Sequence, residues 1–339
     1  MINLFLFLAL FVVSLIILIK SSEGIVNSSV KIAKYFHVSE FVIGLTIIAI
    51  GTSLPELTAS IMASFGNHST LIIGTILGSN ISNICLILGI AGLIGVLIVK
   101  KSIFEREVQV MLIATVVFYL FALDQVITSF EAVILLIGFI YYLLIVFKFT
   151  PQFKYAFDFK HYLNFFTSLG KGRVLTRQPL NMAEKKDLAK QLLFFGLSLA
   201  FLLVSAKLLI DSAVEISSFF SISEGVIGLT LIALGTSLPE LAVSIQAVRK
   251  KLSSMVVGNV IGSNIANLLL VGGITALIAP LHVSLIEIQY VLPLLVVISI
   301  LFINFVWLDW KLQKRNAIVL LLAYFVFISL VILNTLAII

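Results

Sequence analysis

The chain contains 339 residues, of which 61% are hydrophobic and 11% are charged, and its mean hydropathy is +1.21. A soluble globular domain contains about 25% charged residues, so this composition excludes an ordinary soluble protein. Apolar runs of about 20 residues recur along the chain, and each is long enough to cross a bilayer as a helix. These runs do not alternate polar and apolar residues, which excludes a transmembrane β-barrel. The sequence therefore predicts an all-α polytopic membrane protein.

Ten apolar runs follow one another along the chain, and we expect each to form one transmembrane helix. Their approximate bounds are 2–20, 41–65, 70–98, 107–123, 128–147, 191–219, 225–248, 254–279, 286–308 and 316–337. One long polar stretch separates the first five runs from the last five. The sequence therefore predicts a five-helix repeat over residues 1–147, a basic cytoplasmic linker over 148–190 and a second five-helix repeat over 191–339.

The positions of Lys and Arg predict how the helices are oriented. With the N-terminus outside, 21 of the 22 basic residues fall in cytoplasmic loops, as the positive-inside rule requires. Nine of them lie in the linker with three acidic residues, so we expect the linker to contact the anionic inner leaflet of the plasma membrane. Because each half contains an odd number of helices, the second half must enter the membrane from the opposite side. The prediction is an inverted-topology repeat with both termini external.

A stretch of 17 residues that begins at Gly44 recurs 184 residues later, and 13 of its positions are identical in the two copies. Each copy contains the hexapeptide Gly-Thr-Ser-Leu-Pro-Glu, at 51–56 and at 235–240. The same offset carries a Gly-Ser-Asn tripeptide from 78–80 to 262–264. A carboxylate, two hydroxyls and a proline thus stand inside an apolar run in both halves. Polar groups are unfavourable in a bilayer, so their duplication points to a function.

The hexapeptide predicts an interrupted helix in which several oxygen atoms lie close together. Pro55 has no N–H, so the carbonyl of Gly51 loses its helical donor. Backbone carbonyls without donors are tolerated at membrane depth only where another group satisfies them, and a bare cation does so. Glu56 follows Thr52 by four residues and shares its helix face. We expect the second copy, residues 235–240, to place its carboxylate, hydroxyls and freed carbonyls in the same way.

Polar residues spaced four apart supply further oxygen atoms on the third and eighth spans. The residues that share a helix face in this way are Ser79 with Asn83 and Ser263 with Asn267. The neighbouring Asn80 and Asn264 point about 100° away, and we expect them to bind backbone instead. All the donors are hard oxygen atoms, without a nearby His or Cys. This set argues against zinc, copper or iron and favours Ca²⁺, Na⁺ or Mg²⁺.

Glycines on the same two spans predict close helix packing. Gly74 and Gly78, like Gly258 and Gly262, are separated by four residues. Such rows of small residues let the backbones of neighbouring membrane helices approach each other. We therefore expect the third and eighth spans to press against their neighbours beside the predicted site.

Glu56 and Glu240 are the acidic residues predicted to lie near the middle of the membrane. Each costs about 2.5–3.5 kcal/mol there on insertion scales, so the pair needs compensation. One Ca²⁺ neutralises both charges, and several Na⁺ could occupy the same oxygen atoms. Competition for one pair of carboxylates would couple the two ions, because each excludes the other.

These residues resemble the sodium/calcium exchanger family of the cation/calcium antiporters, in its prokaryotic-type form. The resemblance rests on the two hexapeptides, each followed by Gly-Ser-Asn, and it extends over the whole chain through the ten spans, the inverted halves and the basic central loop. It implies four cation subsites between the halves, with Glu56 and Glu240 as shared ligands. Thr52 and Thr236 would give carbonyl oxygens to calcium. The remaining implied ligands are Ala49, Ser53 and Ser79 at one sodium subsite, Ala233, Ser237 and Ser263 at its mirror image, and Asn83 and Asn267 in the middle.

The resemblance implies a secondary active antiporter in which Na⁺ enters and Ca²⁺ leaves by alternating access. With three Na⁺ for one Ca²⁺ the exchange is electrogenic. We expect the ions to be substrates, with no resident cofactor, no nucleic-acid partner and no enzymatic activity. An intramembrane aspartyl protease would need a pair of mid-membrane Asp residues, which the sequence lacks. A scaffold without transport would not need two buried acids.

Two points separate this prediction from its nearest alternatives. A proton/calcium antiporter could use the same two glutamates, although a proton needs only a carboxylate, so the extra hydroxyl and amide oxygens favour sodium. Some family members carry an aspartate at the position of Asn267. The amide here leaves the fixed charge of the site at −2, and an additional K⁺ would have no matching carboxylate. We therefore expect exchange to be independent of K⁺.

Overall fold

The computed structural model describes residues 2–35, 53–99, 101–148, 182–249 and 253–338, and most of these residues are helical. The α-helices of the first half are α1 (Ile2–Tyr35), α2 (Leu54–Phe65), α3 (Ser69–Ile81), α4 (Leu88–Ile94), α5 (Lys101–Ala122) and α6 (Ser129–Lys148). A π-helical segment, π1 (Ser82–Ile87), joins α3 to α4 without interruption. Two short strands, β1 (Leu97–Ile98) and β2 (Val126–Ile127), flank α5.

The second half contains the corresponding elements. Its α-helices are α7 (Met182–Phe220), α8 (Glu224–Ile227), α9 (Ala233–Thr236), α10 (Leu238–Arg249), α11 (Ser253–Ile265), α12 (Gly272–Ile278), α13 (Leu292–Asp309) and α14 (Lys314–Ile338). Its π-helical segments and strands are π2 (Gly228–Ile232), π3 (Ala266–Val271), π4 (Glu287–Val291), β3 (Leu281–His282) and β4 (Lys311–Leu312). The four strands have two residues each, so they add only small local pairings to the predicted helical architecture.

Seven helical stretches within the described residues are long and apolar enough to cross a bilayer. They are Leu4–Ser28, Ser69–Ile94, Lys186–Phe220, Glu224–Arg249, Val256–Ile278, Glu287–Trp307 and Lys314–Leu333. Two shorter apolar helices, Glu107–Ala122 and Ser129–Leu144, lie between the second and third of these stretches. The chain is therefore a multi-pass helical membrane protein. The predicted span over 41–65 is described only from residue 53 onward.

The element boundaries repeat along the chain. Adding 184, the offset between Glu56 and Glu240, to the bounds of α2, α3, π1, α4 and β1 gives the bounds of α10, α11, π3, α12 and β3. The shared motifs thus fold into the same succession of elements in both halves. The helices that hold the predicted ligands have equivalent starts and ends.

Two strand pairs connect the halves. β1 pairs with β4 in antiparallel register, with Leu97 opposite Leu312. β2 pairs with β3 in the same manner, with Val126 opposite His282. Each pair takes one strand from each half, so the loops that carry the strands tie the two halves together.

The glycines of the third span bring two backbones into direct contact. A Cβ added to Gly74 would overlap the carbonyl oxygen of Gly225, and one added to Gly78 would overlap the carbonyl oxygen of Leu229. Helix α3 therefore lies against α8 and π2 with no room for a side chain between them. This contact confirms the close packing predicted from the glycine row in the first half. The prediction was wrong for the second half, because a Cβ added to Gly258 would meet no described atom within 4 Å and one added to Gly262 only the hydroxyl of Tyr142 at 3.6 Å.

Two of the described helices extend beyond the predicted spans. Helix α7 begins at Met182, ahead of the predicted span over 191–219. Helix α1 likewise continues to Tyr35, beyond the predicted span over 2–20. The extensions are polar, so a rule based on apolar runs ends the helices too early. Helices α1 and α7 pack along each other and expose large apolar side chains such as Phe5 and Leu193, as lipid-facing helices do.

Candidate cation-binding site

Both copies of the hexapeptide bend at the serine. Ser53 has φ −89° and ψ 8°, and Ser237 has φ −83° and ψ 1°. Helices α2 and α10 begin at the next residue, and each has its proline in the first turn. In the second copy α9 ends just before this bend, at Thr236, which confirms the predicted interruption. Pro239 cannot donate to the carbonyl of Gly235, so that oxygen faces the bend without its usual helical donor.

The two carboxylates are buried inside the helical bundle. Glu56 is 2% exposed and Glu240 is 1% exposed. The hydroxyl of Ser237 donates to Oε1 of Glu56 over 3.4 Å, so the carboxylate of the first half contacts the hexapeptide of the second. Within the described part of the chain, Oε2 of Glu56 accepts no hydrogen bond. A buried carboxylate oxygen needs a compensating partner, which a cation can provide.

The serines of the predicted sodium subsites also meet across the halves. The hydroxyl of Ser53 donates to the hydroxyl oxygen of Ser263 over 3.3 Å. Ser79 is fully buried in α3, and its hydroxyl has no hydrogen-bond partner in the described ranges. Ser53 and Ser263, which belong to different predicted subsites, are therefore in direct contact across the two halves.

The amides of the middle subsite are held differently in the two halves. Nδ2 of Asn83 donates to Oδ1 of Asn264 over 3.0 Å, and Nδ2 of Asn264 donates to the carbonyl of Asn80 over 3.4 Å. The first of these hydrogen bonds uses Nδ2 of Asn83, and Oδ1 of the same side chain has no hydrogen-bond partner among the described residues. Asn267 is buried in π3, and neither of its side-chain polar atoms is hydrogen-bonded there. Both amides thus have an oxygen available to a cation.

Thr236 and Ala233 line the same interface from the second half. The hydroxyl of Thr236 donates to the carbonyl of Ile232 over 3.0 Å, within its own helix. This bond satisfies the hydroxyl of Thr236, and the role of its carbonyl oxygen as a calcium ligand stays a prediction. A Cβ added to Gly78 would lie 2.7 Å from the Cβ of Ala233, so α9 lies directly against α3.

Ten of the twelve predicted ligands therefore lie in the described structure, and all ten are buried. They are Glu56, Glu240, Ser53, Ser237, Ser79, Ser263, Asn83, Asn267, Thr236 and Ala233. Ala49 and Thr52 lie outside the described residues, and the ligand roles of all twelve residues stay predictions. The buried set combines two carboxylates with hydroxyl, amide and carbonyl oxygens. Such a set suits a hard cation that has lost most of its water.

The comparisons with known proteins agree with this chemistry. A family model described as sodium/calcium exchanger protein matches residues 6–148 and 190–333, which together make up most of the chain. The chain belongs to the sodium/calcium exchanger family.

Relatives of this exchanger-family chain match it over almost their whole length. The sodium/calcium exchanger MaX1 of Methanosarcina acetivorans is 33% identical over 332 residues, which cover 93% of this chain and 95% of the relative. The inner membrane protein YrbG of Escherichia coli is 32% identical over 318 residues, covering 94% of each chain. A solved structure of the sodium-calcium exchanger NCX_Mj, soaked with Na⁺ and Sr²⁺, is 33% identical with a TM-score of 0.62 and covers 96% of this chain and 99% of that one. The two relatives come from an archaeon and a bacterium, so this is a prokaryotic-type member.

Two features of this exchanger-family site were not predicted from the sequence. Asn83 and Asn267 lie in π-helical segments, which widen the helix and are frequent at functional sites. Asn264 was expected to bind backbone, and it does contact the carbonyl of Asn80, but its hydrogen bond to Asn83 was missed. The same expectation for Asn80 was wrong, because its side chain makes no hydrogen bond to the described residues. The recurrence of Gly-Ser-Asn in both halves was the one signal in the sequence that pointed to Asn264.

Proposed function

We propose that this chain is a secondary active antiporter that exchanges Na⁺ for Ca²⁺ at one site between its two halves. Family membership supports this function. The observation that carries it is the contact between Glu56 of the first half and Ser237 of the second, beside a second buried glutamate. Carboxylates placed in this way need a cation for compensation, and the oxygen donors suit both Ca²⁺ and Na⁺. The two ions are substrates, and we propose no resident cofactor and no enzymatic reaction.

The fixed charge of the site explains the coupling. Glu56 and Glu240 give −2, which one Ca²⁺ neutralises. Na⁺ ions need fewer carboxylates each and can occupy the same oxygens together with the serines and amides. Because two bare carboxylates in a dry interior are strongly unfavourable, the empty site should not change the side to which it opens. Transport of one ion then requires return of the other.

The proposed architecture is ten spans arranged as two inverted-topology five-helix repeats, over 1–147 and 191–339, joined by the linker over 148–190. The element boundaries that recur at a fixed offset support two equivalent repeats. The distribution of Lys and Arg supports external termini and a linker at the anionic inner leaflet of the plasma membrane. An inverted pair of repeats allows one rigid half to rock against the other around a fixed site.

We propose that exchange is electrogenic and independent of K⁺. Three Na⁺ for one Ca²⁺ would move one net charge in each cycle, which is worth about 2.3 kcal/mol per 100 mV of membrane potential. The amide of Asn267 can coordinate Na⁺ through its oxygen without adding charge, so a bound K⁺ would have no matching acid. The alternative, proton/calcium exchange, would use the same two glutamates, and a transport experiment can distinguish it from sodium/calcium exchange.

The deciding experiment is uptake of radioactive calcium into proteoliposomes that contain the purified chain. We expect an outward Na⁺ gradient at constant pH to drive uptake, and an outward proton gradient without Na⁺ to drive little or none. Uptake driven by the proton gradient alone would instead identify a proton/calcium antiporter. Uptake driven by neither gradient would contradict the proposed function.

A further inference from the structure

The buried hydroxyls of this protein fall into two groups. In the first group the hydroxyl donates to the backbone carbonyl four residues earlier, which is the usual arrangement of Ser and Thr in a helix. The members of this group include Thr58, bonded to Leu54 at 2.7 Å, Thr75, bonded to Leu71 at 2.8 Å, and Ser299, bonded to Leu295 at 2.8 Å. These hydroxyls are satisfied within their own helices.

In the second group the hydroxyl is buried but makes no hydrogen bond to a described residue, and Ser60 and Ser244 belong to it. They are 2% and 0% exposed, yet the hydroxyl of neither makes a hydrogen bond to any residue that the structure describes. The two serines occupy equivalent positions in the two repeats, because 184 residues separate them. Ser79, one of the predicted sodium ligands, has the same combination of full burial and an unbonded hydroxyl.

Helix geometry places each of these serines next to a glutamate. Ser60 follows Glu56 by four residues in α2, and Ser244 follows Glu240 by four residues in α10. Four residues advance an α-helix by about 6 Å and return to the same face. Each hydroxyl therefore lies one turn farther from the bend than its carboxylate. Oε2 of Glu56, which accepts no hydrogen bond from the described residues, adds a further oxygen atom on α2.

In the first half this row of oxygens continues to a cavity. One turn beyond Ser60, the hydroxyl of Ser64 donates to the carbonyl of Thr275 over 3.1 Å. Ser64 also lines a cavity of about 310 Å³ together with Asn67 and His282 at the C-terminal end of α2. Two serines on one face of α2 thus stand between Glu56 and the cavity.

We propose that Ser60 and Ser244 form two further cation positions, each shared with the glutamate one turn before it. The hydroxyl would replace one water of an ion that moves between the site and the membrane surface. Ser60 would serve ions that pass the C-terminal end of α2, and Ser244 those that pass the C-terminal end of α10. This inference rests on the proposed function and its inverted topology, under which the first end is external and the second cytoplasmic.

The test uses Ser60→Ala and Ser244→Ala, with Ser299→Ala as the matched control for removal of a buried hydroxyl. Calcium flux is measured in right-side-out and inside-out vesicles, so that the half-saturating Ca²⁺ is known for each face. Loss of one ligand oxygen should raise the half-saturating Ca²⁺ concentration by about three- to tenfold. We expect Ser60→Ala to raise only the external value, Ser244→Ala only the cytoplasmic value, and Ser299→Ala neither.

A second variant separates the loss of a ligand from a packing defect. Ser60→Cys keeps the size of the side chain but replaces a hard oxygen by sulfur, a poor ligand for Ca²⁺. It should raise the external half-saturating Ca²⁺ as Ser60→Ala does. Wild-type values in Ser60→Ala, or equal shifts on both faces, would overturn the proposal while leaving Na⁺-driven flux in the wild type intact. Absence of that flux in the wild type would overturn the proposed function and this inference together.

Discussion

The two copies of the repeated stretch share a backbone but differ in their side-chain contacts. Both bend at the serine, at Ser53 and Ser237, and both continue into a helix of 12 residues. Two turns beyond the glutamate, however, α2 has Ser64, which is bonded to α12 and lines a cavity, whereas α10 has the buried Val248. The polar row is therefore longer in the first half.

The amides show a second difference, which here separates identical residues. Asn83 donates to Asn264, whereas the equivalent pair, Asn267 and Asn80, makes no such hydrogen bond. Equivalent sequences have produced equivalent helices, so the unequal contacts must come from how the two halves lie against each other. In a carrier built from inverted repeats the halves exchange such contacts when access alternates. We interpret the asymmetry as a property of one state and the shared backbone as a property of all states.

The largest effect is expected from changing the buried glutamate that both copies carry. Glu56→Gln and Glu240→Gln each keep the shape of the side chain and remove one charge. An ion left without half of its compensation loses about 3–5 kcal/mol, so Na⁺-driven calcium flux should fall by about a hundredfold or more in both variants. Initial rates of uptake measure this, with Glu23→Gln, a change at an exposed carboxylate, as the control. Near-normal flux in either buried variant would show that the two glutamates are not equivalent ligands.

A second variant tests the contact between the halves. Gly74→Ala places a methyl group against the carbonyl of Gly225, so α3 and α8 must separate. We expect a loss of about 1–3 kcal/mol in stability, seen as a lower melting temperature in detergent. Gly196→Ala is the control, because a Cβ there meets no described atom within 4 Å. Equal melting temperatures for the two variants would refute the proposed close contact.

The unequal hydrogen bonds of the amides predict a smaller loss of flux, which should differ between Asn264→Ala and Asn80→Ala. Asn264→Ala removes the acceptor that holds Asn83 and leaves a buried donor unbonded, which costs about 1–3 kcal/mol. Flux at limiting Ca²⁺ should therefore fall by about tenfold. Asn80→Ala removes a side chain without a hydrogen bond in the described structure and should change that flux by less than about twofold. If Asn80→Ala has the larger effect, the asymmetry seen here does not describe the state that binds calcium.

The smallest expected effect concerns potassium. When choline replaces all K⁺, calcium flux driven by Na⁺ should remain unchanged, because the site has no carboxylate to match an additional cation. Asn267→Asp adds a third acid at the middle of the site and should take up a proton or weaken the preference for Na⁺. Flux that appears only after K⁺ is restored would contradict the charge argument for the wild-type chain.

The sequence was sufficient for the features that rest on local chemistry. Apolar runs predicted the seven described helical stretches that are long enough to cross a bilayer, and the prolines of the hexapeptides predicted the bend now seen at Ser237. The cost of a charge in the membrane singled out Glu56 and Glu240. The start of α7 at Met182 was missed, since the helix begins in a polar segment that hydropathy assigns to the linker.

The remaining features depend on how distant segments meet. A π-helical turn is a change in hydrogen-bond register, and composition carries no clear sign of it. The strands have two residues each, which is too short for a periodic pattern. The contact of Asn264 with Asn83 requires α11 and π1 to be placed side by side. The unbonded hydroxyls of Ser60 and Ser244 can be recognised only from the three-dimensional positions of the residues around them.

The central claim is that Na⁺ and Ca²⁺ exclude each other from one site that both halves form. Its most direct test is the dependence of calcium uptake on Ca²⁺ concentration at several Na⁺ concentrations on the same face. If the two ions share one site, Na⁺ should raise the half-saturating Ca²⁺ concentration progressively and leave the maximum rate unchanged. A fall in maximum rate at a constant half-saturating Ca²⁺ concentration would show that the two ions bind at separate sites.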